Sequence, residues 1–169
     1  MSSKQKGMTF IEVLVALFII VTGILGAVAM QASAKKASFD AMQRSLASSL
    51  AQDILERMRN NNFASLAAYS GTYGDGTAPV QVCDENNFCN AAQLALHDVY
   101  EWEQALIGGN VTNNASGLVE TTGCITVAGN QVDVVISWEG REKTSDGASE
   151  NCGDASDKRR QIVVEAFIY

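Results

Sequence analysis

An uncharged stretch from Val13 to Ala34 constrains this chain more than any other feature. As a helix rising ~1.5 Å per residue it would reach ~33 Å, against the ~30 Å of hydrocarbon in a bilayer. A membrane-spanning helix near the start of the chain is therefore physically sound. Directly ahead of it runs Lys4-Gln-Lys-Gly7-Met8-Thr-Phe-Ile-Glu12, a short basic head with one acidic residue at the mouth of the apolar run. A carboxylate placed there is costly unless something pairs with it, which makes Glu12 a candidate functional residue.

The remainder of the 169 residues suffices for one ordinary domain. A net charge of −7 argues against nucleic-acid binding, which leaves a basic footprint. Lys4 and Lys6 before the apolar run are balanced by Lys35 and Lys36 after it, so charge alone does not orient the span. The four cysteines, Cys83, Cys89, Cys124 and Cys152, are even in number and absent from the apolar helix, which suits disulfides in an oxidising compartment. Zinc is disfavoured, because there is no C-x2-C pair and His97 is the single histidine. Three pairings are open. The short interval between the first two favours Cys83–Cys89 with Cys124–Cys152, the longer loop giving more stability, on the order of 3 kcal/mol.

From Lys35 to Arg59 the pattern becomes amphipathic. Met42, Leu46, Leu50, Ile54 and Met58 recur every fourth residue, flanked by Ala47, Ala51 and Leu55. Asn60-Asn-Asn62 is a plausible stop. Residues 63–89 read as a connection with turn chemistry at Ser70-Gly71, Gly74-Asp75-Gly76 and Pro79. Asn90 caps a second helix from Ala91 to about Leu106, ended by Gly108-Gly109. Leu118–Val127 and Gln131–Glu139 form a hairpin through Ala128-Gly129-Asn130, and Arg160–Tyr169 supplies a third alternating strand. The expected fold is α+β: a long N-terminal helix whose second half packs on a small antiparallel sheet, with a second short helix.

Other constellations carry less. His97, Asp98, Glu101 and Glu103 lack a nucleophile pattern and read as solvated helix surface. The 140–158 loop, with Asp146, Glu150, Asp154 and Asp157, lacks the ordered spacing of a calcium loop. Asn110-Val-Thr and Asn114-Ala-Ser match glycan-acceptor spacing and are given no role.

The head from Lys4 to Glu12, together with the apolar run, resembles the N-terminus of type IV prepilins and type II secretion pseudopilins. The resemblance implies cleavage after Gly7 by a prepilin peptidase and N-methylation of the new terminus, Met8. It also implies pairing of Glu12 with the terminal amine of a neighbouring subunit. Ala27-Val-Ala29 and Ala32-Ser-Ala34 also fit an ordinary signal-peptide site. The length of the apolar run, and the helical period continuing into residues 35–59, argue against that reading. The segment from Cys89 through Asp98, Glu101 and Trp102 to Leu106 is similar to the second helix of PilV-type minor pilins, or type IV pilus modification proteins. Met8 in place of the usual Phe, and Ala29 where bulk pilins often have Pro, favour a minor subunit.

The resemblance implies a pilin fold divided into a leader at 1–7, a transmembrane assembly half of helix one at 8–34, its amphipathic half at 35–62, and a periplasmic globular domain at 63–169. It implies a structural subunit, not an enzyme: a minor type IV pilin that helps prime and assemble the pilus near its tip, supporting motility and adhesion. A minor pseudopilin of a type II secretion system is the alternative. Implied partners are the prepilin peptidase, other minor pilins, the major pilin and inner-membrane lipid, with a tip adhesin as a further candidate. Neither nucleic acid nor any cofactor or metal is expected. The implied location is the bacterial inner membrane, single-pass, and then the pilus at the cell surface.

Overall fold

The computed structural model describes residues 7–78, 80–109, 117–144 and 151–169. Lys4 and Lys6, Pro79, the Asn110 and Asn114 sequences, and Asp146 and Glu150 lie outside the described residues. By internal packing the chain forms two units, Met1–Phe39 and Asp40–Tyr169. Helix α1 runs Phe10–Asn60 and contributes to both.

In the first unit α1 presents apolar side chains outward on every side, with Phe18 and Leu25 among the most exposed. None of its apolar 18-residue window is buried, and the helix is long and apolar enough to cross a membrane. Thr22 interrupts the apolar surface harmlessly: its hydroxyl donates to the carbonyls of Phe18 and Ile19, both at 3.0 Å.

The second unit is built around the last two-thirds of α1's amphipathic stretch. Ala47, Leu50, Ala51, Ile54, Leu55 and Met58 are buried there. Met42 is not: it is exposed, and Gln43 is buried at that level instead. A strict four-residue spacing advances ~40° around the helix at each step. A five-member series therefore rotates off the face it started on, and Met42 is the member left outside.

Asn61 and Asn62 follow α1, and Asn62 caps a 3₁₀ helix, Phe63–Tyr69, through Ala64 N–H at 2.9 Å. Strand β1, Gly71–Tyr73, comes next. Helix α2, Ala91–Ile107, starts with a reciprocal cap: Gln93 N–H donates to Asn90 Oδ1 at 2.9 Å, and Asn90 N–H donates to Gln93 Oε1 at 3.0 Å. It ends at Gly108, whose φ of 70° lies in the left-handed region that glycine enters freely.

Strands β2 (Thr122–Ala128), β3 (Gln131–Glu139) and β4 (Arg159–Phe167) complete an antiparallel sheet of order β1-β2-β3-β4. The α+β architecture is thus the expected one, with a long helix, a second helix and an antiparallel meander. The sheet has four strands where three were expected. The limits of two strands also move: β2 runs Thr122–Ala128, not Leu118–Val127, and β4 runs Arg159–Phe167, not Arg160–Tyr169.

Val132, Val134, Ile136 and Trp138 alternate onto the inner face of β3 and join the α1 and α2 residues in one core. Gly123 on β2 has a packing reason: a Cβ there would meet Trp102 Cη2 at 2.5 Å, so its absence lets that ring lie against the strand. On the outer face Val135 and Ser137 are also buried, because the chain at Cys152 crosses over them. Ser137 Oγ donates to the Cys152 carbonyl at 2.6 Å.

Candidate assembly site

Gly7, Met8 and Thr9 precede the first helical residue, Phe10. Thr9 N–H donates to Glu12 Oε2 at 2.9 Å, and Thr9 Oγ donates to the same oxygen at 3.0 Å. In return Glu12 N–H faces Thr9 Oγ at 3.4 Å and the Thr9 carbonyl at 3.1 Å. This is a capping box, in which a Thr and the Glu three residues on satisfy one another's donors at a helix start. The negative charge also lies at the positive end of the helix dipole. Glu12 is therefore not partnerless in the single chain, as the bare sequence suggests. It has a local, neutral partner in Thr9. Gly7 is open, with no atom near where a side chain would lie, and Met8 is exposed.

The remaining candidates lie in the second unit. Cys83 is bonded to Cys89 and Cys124 to Cys152, with Cα–Cα separations of 5.5 and 5.9 Å. The first pair closes a small ring just ahead of α2. The second ties β2 to the segment that crosses the outer face of the sheet.

His97, Asp98, Glu101 and Glu103 are not all solvated: Glu101 is exposed, as expected, and His97 is half-buried. Asp98 and Glu103 are buried. Asp98 accepts from Tyr69 O–H at 2.6 Å and from Arg57 Nη1 at 3.4 Å, linking α2 to the 3₁₀ helix and to α1. Glu103 accepts from the backbone N–H groups of Gly74 at 2.7 Å, Gly76 at 3.2 Å and Ala78 at 2.9 Å. Its carboxylate is thus the fixed point around which the 74–78 turn folds, and three amides compensate its burial. His97 Nδ1 lies 2.8 Å from the Gln81 carbonyl, and its Nε2 lies 3.5 Å from Glu101. Each of these side chains has a structural partner. Among the described residues no group of three or more His, Cys, Asp and Glu is arranged to hold a metal ion.

Burial raises the phenol pKa of Tyr69, and the hydrogen bond to Asp98 raises it further. Tyr73 is raised by burial and then by the charge of Glu103. Beside Tyr73 a cleft of about 470 Å³ opens between Asp75, Glu120, Glu139 and Asp154, with Arg159 in its wall. Glu120 has a φ of 43°, uncommon for a residue with a side chain. That turn aims its carbonyl at Arg159 Nη1, 2.8 Å away.

Sequence reasoning passed over Thr9, although the Thr-x-x-Glu spacing is itself the signal of the box. It also passed over the buried roles of Asp98 and Glu103. Only the glycines at 74 and 76 hint that a side chain reaches their amides.

Residues 29–100 match the family model described as type IV pilin Tt1218, and residues 2–28 match the prokaryotic N-terminal methylation motif. No curated protein and no solved structure matches the chain. A long helix, a second helix and a four-stranded antiparallel sheet make the fold pilin-like, and the two matches make the chain similar to type IV pilins over those residues. The methylation motif implies processing by a prepilin peptidase and assembly with other pilins. An outward-facing apolar helix at the N-terminal end fits inner-membrane anchoring before assembly.

Proposed function

We propose that this chain is a minor type IV pilin of the PilV kind, which helps prime the pilus and stays near its tip, supporting motility and adhesion. Residues 1–7 are the leader, cut after Gly7, and Met8 is then N-methylated. Residues 8–34 hold the protein in the inner membrane and later in the filament, 35–62 form the amphipathic half of α1, and 63–169 stand in the periplasm. The observation that carries this reading is the head itself: Gly7-Met8-Thr-Phe-Ile-Glu12 at the start of a helix whose apolar side chains have no partner in their own domain. Lipid satisfies that surface before assembly and neighbouring pilins after it, with other minor pilins, the major pilin and a tip adhesin as the partners.

Glu12 sets alignment. Alone, its carboxylate rests in the Thr9 box. In the filament it meets the methylated amine of an adjacent subunit, a charge–charge contact that outweighs neutral donors in apolar surroundings. Two substitutions separate these roles. Glu12→Ala removes box and charge, leaves leader cleavage intact and blocks incorporation. Glu12→Gln keeps a box-forming amide but no charge, and it too should fail to enter pili. Normal incorporation of Glu12→Gln would sink the charge-pairing account. N-terminal sequencing of the mature protein checks the cleavage site, with methylated Met8 expected.

A minor pseudopilin shares the same head. The pilin-family match over residues 29–100 favours the pilus. Gene deletion separates the two: lost surface pili with normal protein secretion support the pilin reading, and lost secretion with normal pili supports the other.

A further inference from the structure

We propose that the 80–89 segment is a docking knob for a different protein subunit, in which Phe88, with Val80 and Val82, enters an apolar socket rimmed by lysine or arginine. Phe88 is 90% exposed, Val80 71% and Val82 50%. One exposed apolar side chain is unremarkable, but these three fall on a single short segment. They are also held in place. Val82 and Phe88 each immediately precede a half of the Cys83–Cys89 disulfide, so the ring keeps both on one small excursion.

Within the ring Asp84 Oδ1 accepts from the N–H groups of Asn86 and Asn87, both at 2.8 Å, and from Asn87 Nδ2 at 3.0 Å. Backbone bonds between Asp84 and Asn87 close the turn in both directions. Outside the ring the Gln81 carbonyl lies 2.8 Å from His97 Nδ1, and Asn90 begins α2. An aromatic side chain presented from a preformed ring loses little freedom on binding, and such anchors dominate interface energetics.

Charge chooses the occupant. Asp84 and Glu85 share the Cys83–Cys89 ring with Phe88, so the complementary rim is basic. A second copy of this chain fits poorly. Its cleft sets the carboxylates of Asp75, Glu120, Glu139 and Asp154 against the cation Arg159, and the chain carries a net charge of −7. An anionic lipid surface is disfavoured for the same reason. The occupant is thus another protein. This inference rests on the globular unit alone and does not depend on Glu12 or the leader.

The test replaces Phe88 with a photo-reactive phenylalanine analogue in the full chain, in cells that assemble its own pili. Adducts are then mapped by mass spectrometry. The expected product is a heterotypic adduct on an apolar residue flanked by Lys or Arg. Asp84→Asn with Glu85→Lys keeps the turn-forming oxygen and reverses the rim, and it should cut the adduct at least about tenfold. Phe88→Ala should leave the melting temperature of the purified protein unchanged while weakening the complex roughly thirtyfold, the loss expected of a central anchor. Adducts confined to lipid, to a second copy of the chain or to an acidic or uncharged protein surface would overturn the proposal. So would the absence of protein adducts, or an adduct yield indifferent to the charge reversal.

Discussion

Glu12 and Glu103 are both carboxylates in apolar company, and they are satisfied in opposite ways. Glu12 takes its hydrogen bonds from Thr9, on the same helical turn. Glu103 takes them from Gly74, Gly76 and Ala78, residues that reach it only because the whole second unit has folded. The same contrast runs through the neighbouring groups. Thr22 bonds within its own helix, whereas Trp102 Nε1 donates to the Leu50 carbonyl at 2.8 Å, 52 positions away in sequence. A locally satisfied helix keeps its hydrogen bonds when lipid is exchanged for protein around it. A non-locally satisfied domain cannot change its neighbours without unfolding. The side-chain bonds described in the first unit are local, and those of the second depend on its fold.

The largest test of this contrast is Trp102→Ala. The ring is fully buried, lies against Gly123 and packs edge-on against Tyr73 with centroids 5.9 Å apart. Its loss should cost about 3–5 kcal/mol by cavity formation, with the Leu50 carbonyl left only its own helical hydrogen bond. Denaturant unfolding of the detergent-solubilised protein should show this. Near-UV circular dichroism should be lost first, while the helical signal of the first unit persists. Simultaneous loss of both would mean the units are one cooperative body.

The disulfides sharpen the comparison within the second unit. Replacing Cys124 and Cys152 by Ser opens a 28-residue separation and should cost about 3–4 kcal/mol, against about 2 kcal/mol for Cys83 and Cys89, six residues apart. The first change should also expose Val135 and Ser137, buried beneath Cys152. Paired thermal melts decide the ranking, and equal losses would refute it.

Alkaline pH should then act on the second unit alone. Tyr69 and Tyr73 have folded pKa values raised above the ordinary phenol value of about 10. Their stabilising contribution is complete below pH ~10 and drains away as pH climbs from there toward the folded values. The unfolded chain loses those protons first. The slope should approach ~1.4 kcal/mol per pH unit for each tyrosine involved. Tyr69→Phe should lower stability at neutral pH, since Asp98 loses a donor, and flatten the alkaline fall. Melts between pH 7 and 11 test both.

What could be read from the sequence divides along the same line. The two helices, the Asn90 start, the Gly108 stop and the 128–130 hairpin were legible because each is written in residues a few places apart. Strand β1 was not. Three residues, Gly71-Thr-Tyr73, carry no alternation of their own and become a strand only by pairing with Gly123, Cys124 and Ile125. Asp98 and Glu103 looked solvated because helix periodicity counts charge and cannot see donors arriving from Arg57, Tyr69 or the 74–78 turn. The head was legible as a motif, yet the bond of Glu12 to Thr9 was not, since a motif that implies pairing between chains says nothing of the bonds within one.

That missed bond supplies the smallest and most discriminating test. Thr9→Val removes the hydroxyl that donates to Glu12 and receives its N–H, but it keeps the backbone donor. Loss of such a cap costs about 1 kcal/mol, a roughly fivefold change in local opening. Hydrogen exchange in detergent should therefore quicken about fivefold at the amides of Ile11 and Glu12. The melting temperature of the second unit should not move, because among the described residues the side-chain bonds of Thr9 and Glu12 stay within that first turn. A shift in that melting temperature would show that the helix start is coupled to the globular core, and the division between a locally bonded first unit and a fold-dependent second one would fail. If exchange quickens alone, Glu12 is freed at small cost, and Thr9→Val should then release the carboxylate more readily to an incoming amine.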